Sequence, residues 1–210
     1  MTNVAEKPGD KRNFRLILAS GSPYRRQLLG RLTRDFEVEP PDVDESAAAG
    51  EAPADMAGRL ARLKASAIAA GQIDATVIGS DQVAALGSRI LGKPGSEANA
   101  IQQLLDCSGK TVHFYTAVCV LNKQTGFDES HTDLTTVVFR NLAAAEAEAY
   151  VRIDHPLDCA GSFRAEGLGV TLFDAIENRD PTAIIGLPLI WLSSCLRRAG
   201  IPILEMRAAI

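Results

Sequence analysis

Apolar strand runs alternating with helical stretches predict an α/β protein built on a mixed sheet. Three observations carry that expectation. Two continuous apolar runs, at residues 14–20 and 75–86, read as buried strands. Capped or amphipathic stretches at residues 22–32, 53–70 and 96–109 read as helices. Further strand runs at residues 110–121 and 134–140 flank a turn at Gly126.

The elements follow in chain order. "MTNVAEKPGDKRN" is polar and lacks the apolar segment of a secretory signal, so residues 1–13 read as a flexible lead-in. "FRLILAS" is the first strand. Ser22 is a candidate N-cap, Pro23 suits the first helical position, and Tyr24, Leu28 and Leu32 recur on one helix face. "FEVEPPDVDES" reads as extended and then acidic. Met56, Leu60 and Leu63 mark the apolar face of the second helix. "ATVIGSDQVAAL" is a strand interrupted by a polar Gly79, Ser80, Asp81 and Gln82. "SRILGKPGS" reads as strand then turn, and Ser96 caps the third helix. "AAAEAEAYVR" is helical by propensity. "CAGSFRAEGLGVTLF" is a glycine-rich loop entering a strand. Asp180 and Pro181 start a short helix, and Pro188 starts the last one, which ends near Gly200. No repeat period or linker divides the chain, so residues 14–210 read as one domain.

Composition excludes several classes of function. A net charge of −4 supplies no general attraction to nucleic acid or acidic membrane, and no basic stripe is present. "AIIGLPLIWL" is interrupted by Gly186 and Pro188 and is too short to span a bilayer. Cys107, Cys119, Cys159 and Cys195 form no metal-binding spacing and read as buried, reduced thiols of a cytoplasmic protein. His113, His131 and His155 are scattered, with no nearby nucleophile that suggests a triad.

Four stretches could carry chemistry. In "ASGSPYRR" the free N–H groups of a helix N-terminus, joined by the Ser20 and Ser22 hydroxyls, suit an anion. Arg25 and Arg26 stand in the first turn, where the helix dipole disfavours positive charge, so a bound anion would compensate them. A capped surface helix with solvated arginines is the alternative. In "VIGSDQV", a buried and unpaired Asp81 would cost several kcal/mol, so it needs a cleft or a partner, unless it merely caps a turn. Asp42, Asp44 and Glu45 of "DVDES" could join Asp81 around Mg²⁺, which takes one or two carboxylates plus substrate phosphates; a solvated acidic loop is the other reading.

"GSRILGKP" matches part of a phosphate-binding P-loop, but Pro94 occupies the position that needs Ser or Thr. It also reads as strand then turn, so a P-loop nucleotidase is rejected. Lys93 can still reach a phosphate as a point charge, as can Lys64 on the polar edge of its helix. In "AGSFRAEGLG", Gly161, Gly167 and Gly169 would let backbone approach a ligand, and Glu166 could accept N–H groups from a base edge. A surface turn with a solvated glutamate is the alternative.

Taken together, "LILASGSPYRRQLL", "VDES", "RLARLKA", "VIGSDQV", "GKP", "HPLDCAGSFRAEGLG" and "IIGLPL" occur in the order and character of the Maf family of nucleotide pyrophosphatases. The resemblance covers the chain from Arg15 to about Leu204. It implies an elongated, two-lobed, ITPase-like α/β fold with a mixed sheet and a cleft between the lobes. It also implies hydrolysis of a nucleoside triphosphate between the α and β phosphates, with a divalent metal (Mg or Mn), and a possible homodimer. By resemblance, Ser20, Ser22, Arg25, Arg26, Lys64 and Lys93 would grip the triphosphate. Glu45 and Asp81 would hold the metal, with Asp81 as proton acceptor.

Tyr24, Gln82 and Glu166 stand at positions that differ between branches of that family, and they resemble the branch acting on 7-methyl-GTP. The commonest aromatic at the first of these positions is Trp; this chain has Tyr24. Physical chemistry agrees. N7-methylguanine is cationic, an aromatic face attracts it by about 0.5–2 kcal/mol, and a carboxylate accepts guanine N1–H and N2–H. A broader pyrophosphatase acting on dTTP, UTP or modified nucleotides is one rival expectation. A nucleotide-binding regulator of septum formation without turnover is the other.

Overall fold

The computed structural model describes residues 14–208. The expected lead-in lies outside the described residues.

A mixed seven-stranded sheet organises the chain, in the order β2-β1-β3-β5-β6-β7, with β4 also paired to β3. β1 (Arg15–Ala19) lies parallel to β2 (Glu37–Val38) and to the first part of β3 (Ala75–Leu86). β5 (Thr111–Asn122), β6 (Phe127–Phe139) and β7 (Phe173–Glu177) continue the sheet antiparallel. The short β4 (Arg89–Leu91) folds back antiparallel on the far end of β3.

This arrangement opens one flank of β3. The ladder to β1 ends at Gly79, and the ladder to β4 begins at Ala84. Between them, residues 80–83 pair with β5 on one side only. Alternation along the strand then sends Asp81 and Val83 to one face and Ser80 and Gln82 to the other. The polar break read in the sequence is thus a strand that runs on after losing a neighbour.

Helices cover both faces. α2 (Pro53–Ala69) packs Ala57, Ala61 and Ala65 against Ile17, Val77 and Val83. Its approach is unusually close at Gly79, where an added Cβ would stand 2.2 Å from the Ala61 carbonyl oxygen. Only glycine fits there. On the opposite face, α1 (Pro23–Leu32) and α5 (Leu189–Arg198) bury Leu28, Leu29 and Leu192 over Leu18, Ile78 and Val118. At the far end, α3 (Glu97–Cys107) and α4 (Ala144–Asp154) join Phe114, Phe139 and Phe163 in a third cluster. Burial of each large apolar side chain contributes about 1.5–3 kcal/mol.

The expected caps form: Ser22 Oγ accepts from Arg25 N, and Ser96 Oγ accepts from Asn99 N. Three expectations change. β6 extends seven residues earlier than its apolar signature, because every residue from Phe127 to Val138 finds a register partner on β5. The short helix after Pro181 is a single 3-10 turn over Ala183–Ile185. A further helix, α6 (Ile203–Ala208), follows the one expected to be last.

Candidate active site

A cleft of about 740 Å³ opens along the unpaired flank of β3. That volume lies in the range of small-molecule sites. Ser20, Ser22, Tyr24, Arg25, Glu45, Lys64, Asp81, Gln82, Lys93 and Glu166 all line it. Nearly the whole set named from sequence is therefore brought together from six separate stretches of chain.

The strand-to-helix junction forms one end. Ser20 Oγ accepts hydrogen bonds from Ser22 N at 3.2 Å and from Arg25 Nη1 at 3.4 Å. Arg25 Nε donates to the Gly186 carbonyl at 2.9 Å. Loss of water around the guanidinium holds the Arg25 pKa below its ordinary value, against the opposing pull of Asp81 and Glu45. An anion here would face hydroxyls, a cation and a helix N-terminus together.

Arg26 is the exception. It lies about a quarter-turn round the helix from Arg25, and lines a separate groove with Pro23, Gln27, Arg34 and Phe36. The structure does not bring it to the cleft.

Across from the junction, Lys64 and Asp81 are both 6% exposed, so their charges need each other. Lys64 Nζ lies 2.7 Å from Asp81 Oδ1 and 2.9 Å from Glu45 Oε1. The sequence put Lys64 on the polar edge of its helix; in the structure it is buried and lines the cleft. The tight seat of α2 on Gly79 aims it inward at Asp81. Of the acidic candidates, Glu45 reaches this cluster. Asp44 instead pairs with Ser46, whose hydroxyl first and backbone N–H (2.9 Å) second lower its pKa, and both Asp42 and Asp44 lie outside the cleft lining. The loop bearing Glu45 is tied down by Arg59, which donates to Glu51 and to the Ser46 carbonyl.

Glu45 and Asp81 converge on one point, marked by the Lys64 ammonium, and offer hard carboxylate oxygens. That donor set fits Mg²⁺ or Mn²⁺ completed by substrate phosphates. Among the described residues, no group of three or more His, Cys, Asp or Glu gathers as an all-protein metal cage.

The other end of the cleft is built from Tyr24 and the loop after α4. Tyr24 turns away from the Leu28 core and lines the cleft with Phe163, Arg164 and Glu166. The Cys159 thiol donates to its hydroxyl at 3.8 Å. Burial, with Cys159 next in effect, pushes the Tyr24 pKa up to about 12. Cys159 is the one half-buried cysteine; the other three are buried, as expected. Arg164 staples the loop, donating to the His155 carbonyl and to Asp158. The loop glycines serve packing instead of ligand approach: a Cβ at Gly161 would strike the Phe114 ring, and one at Gly169 the Arg164 backbone.

Gln82 lines the cleft and is held by its amide. Its amide nitrogen lies 2.9 Å from Thr116 Oγ1, 3.0 Å from the Ala183 carbonyl and 3.1 Å from the Ile184 carbonyl. Those bonds face the 183–186 turn. Thr116 was not singled out from sequence, and Ser80 and the "IIGLPL" stretch were noted without a link to Gln82. Their signal was available only in the alternation that puts Ser80 and Gln82 on one strand face.

The fold and cleft define an α/β protein that sets a cation-lined strand–helix junction opposite paired carboxylates, a site for a polyanion. The chain belongs to the Maf-like protein family, whose profile matches residues 15–199. A 7-methyl-GTP pyrophosphatase of Cupriavidus metallidurans is 54% identical over 187 residues, covering 89% of this chain and 94% of the relative. One of Alcanivorax borkumensis is 50% identical over 186 residues, covering 89% and 94%. A Ham1 protein structure from Staphylococcus aureus overlaps 74% of this chain and 89% of its own at 18% identity and a TM-score of 0.45, too slight a likeness to bear on function. No described helix is long and apolar enough to cross a membrane.

Proposed function

We propose that this chain is a nucleoside triphosphate pyrophosphatase that hydrolyses the α–β phosphate bond of 7-methyl-GTP to 7-methyl-GMP and pyrophosphate. One observation carries the choice of base: Tyr24 lines the cleft and meets the loop that bears Glu166. A cationic purine stacks on an aromatic ring, and a carboxylate takes its N–H edge. Relatives about half identical carry the same activity in their names.

Ser20, Ser22, Arg25, Lys64 and Lys93 hold the triphosphate and stabilise charge on its oxygens as the bond breaks. Asp81 takes the proton from the attacking water. Lys64 keeps Asp81 aimed into the cleft while balancing its charge. Glu45 and Asp81 would hold a divalent cation, which when bound neutralises phosphate charge. Arg26 leaves the phosphate-binding set, because it serves another groove.

Pyrophosphate release over a nucleotide panel, with and without Mg²⁺, tests the reading. Release should be fastest from 7-methyl-GTP and should stop when the metal is chelated. Equal rates across the panel would indicate a broad pyrophosphatase. Tight nucleotide binding without turnover would indicate a regulator.

A further inference from the structure

Arginine is long and flexible, so an arginine that must meet a phosphate needs something to aim it. Here Arg25 is aimed by a backbone carbonyl, that of Gly186, which accepts from its Nε at 2.9 Å. The direction of that carbonyl depends on the 183–186 turn.

We propose that the 183–186 turn is a positioning device for Arg25, clamped onto the open flank of β3 by Ser80, Gln82 and Thr116. The proposal rests on the pyrophosphatase reading only for the role of Arg25 on the triphosphate. Thr116 Oγ1 donates to the Ala183 carbonyl at 2.9 Å and accepts from Gln82. Gln82 Nε2 reaches the Ala183 and Ile184 carbonyls as well. Ser80 Oγ lies 3.0 Å from the Gly186 carbonyl and 2.8 Å from the Ala117 carbonyl of β5, so its one proton is shared between the turn and the sheet. Gln82 and Thr116 are register partners on β3 and β5, and Ser80 is two residues along on the same face. One patch of sheet therefore meets three backbone carbonyls of a single turn, those of Ala183, Ile184 and Gly186.

The turn is held from its other side too. The Asp180 carboxylate accepts from Thr182 N, Thr182 Oγ1 and Ile190 N. Thr182 Oγ1 accepts from Leu189 N. With both flanks fixed, the Gly186 carbonyl has one direction, and Arg25 inherits it. Ser80 and Thr116 are fully buried, so they act through the turn and not on the nucleotide. Gln82 belongs to the same clamp.

The test uses the full chain with Thr116→Val, Thr116→Ser, Gln82→Ala and Arg25→Lys. Steady-state kinetics would be run on 7-methyl-GTP and on the next-best nucleotide of the panel. The Arg25 Nε–H resonance, assigned through Arg25→Lys, is followed by NMR. Misaiming a phosphate ligand should lower kcat about tenfold in Thr116→Val and Gln82→Ala, with the ratio between the two nucleotides held within about twofold in Thr116→Val. The Arg25 resonance should broaden in both, and Thr116→Ser should restore rate and resonance. Wild-type kcat with an unmoved resonance in both variants would overturn the proposal. So would a Gln82→Ala variant that alters the nucleotide ratio and leaves Arg25 untouched. Should Thr116→Val not fold, Gln82→Ala carries the test, since its side chain lies at the cleft surface. Failure of the pyrophosphatase reading looks different: no wild-type turnover, yet an Arg25 resonance that still responds to the clamp.

Discussion

The two ends of the cleft are built differently. At the phosphate end, every polar side chain but Lys93 and the loop-borne Glu45 sits on or beside a regular element and is cross-bonded. Ser20 ends β1, Arg25 opens α1, Lys64 is buried on α2, and Asp81 lies within β3. At the opposite end, Glu166 and Cys159 lie on irregular chain between α4 and β7, and Glu166 is exposed. On the proposed function, the frame would fix the chemistry that all triphosphates share, while Tyr24 and the loop would present the groups that meet the base. Substitutions at the first end should cost rate on every nucleotide. Those at the second should redistribute rate among nucleotides.

The largest effect tests the rigid end directly. Asp81→Asn keeps the shape and a hydrogen bond to Lys64 but removes the proton acceptor, so pyrophosphate release should fall roughly 10²–10⁴-fold. Its circular dichroism spectrum should match that of the wild type. Near-wild-type turnover would contradict the assignment.

Gly79→Ala breaks the same end from outside the cleft. Its methyl would meet backbone of α2 at Ala61, so α2 must shift at a cost of about 1–3 kcal/mol. Denaturant unfolding should show that loss, and Lys64 should lose its hold on Asp81, lowering kcat for all nucleotides alike.

Tyr24→Leu sharpens the contrast from the other side. Removing the ring should reduce kcat/KM for 7-methyl-GTP roughly 2- to 30-fold, the value of a cation–π contact, and leave dTTP nearly unchanged. Equal losses on both nucleotides would make Tyr24 a structural residue of the junction.

The smallest effect concerns the loop carrying Glu45. Arg59 lowers the Glu51 pKa from 4.5 to about 2 in the folded chain. A depressed carboxylate pKa stabilises the fold fully above the unfolded value, and that stability fades as pH falls through the folded one. The thermal stability gap between wild type and Glu51→Gln should therefore be present above pH 4.5 and close towards pH 2. A gap that widens on acidification would contradict the pairing.

Much of the frame was legible in the sequence because its signals are local. Ser22 with Pro23, and Ser96, announce helix starts, and the apolar run of β3 bounds its strand correctly. The early half of β6 was not legible: "FDESHTD" is polar on both faces, and only pairing with β5 makes it a strand. Candidate site residues were legible as types but not as directions. Arg25 and Arg26 look alike in sequence, yet helix rotation sends them to different grooves. Lys64 reads as a surface lysine until Gly79 brings α2 down on β3. The sequence does not show that the Gln82 amide meets a turn a hundred residues later, at Ala183 and Ile184.

The central claim is that Tyr24 and the loop bearing Glu166 select the nucleotide while the residues that hold the phosphates do not. The kcat/KM ratio of 7-methyl-GTP to dTTP, compared between wild type and Glu166→Gln, tests it most directly. A ratio that falls about tenfold or more with Glu166→Gln, the loss of one charged hydrogen bond of about 1.5–3 kcal/mol, is the expected result. An unchanged ratio would contradict it.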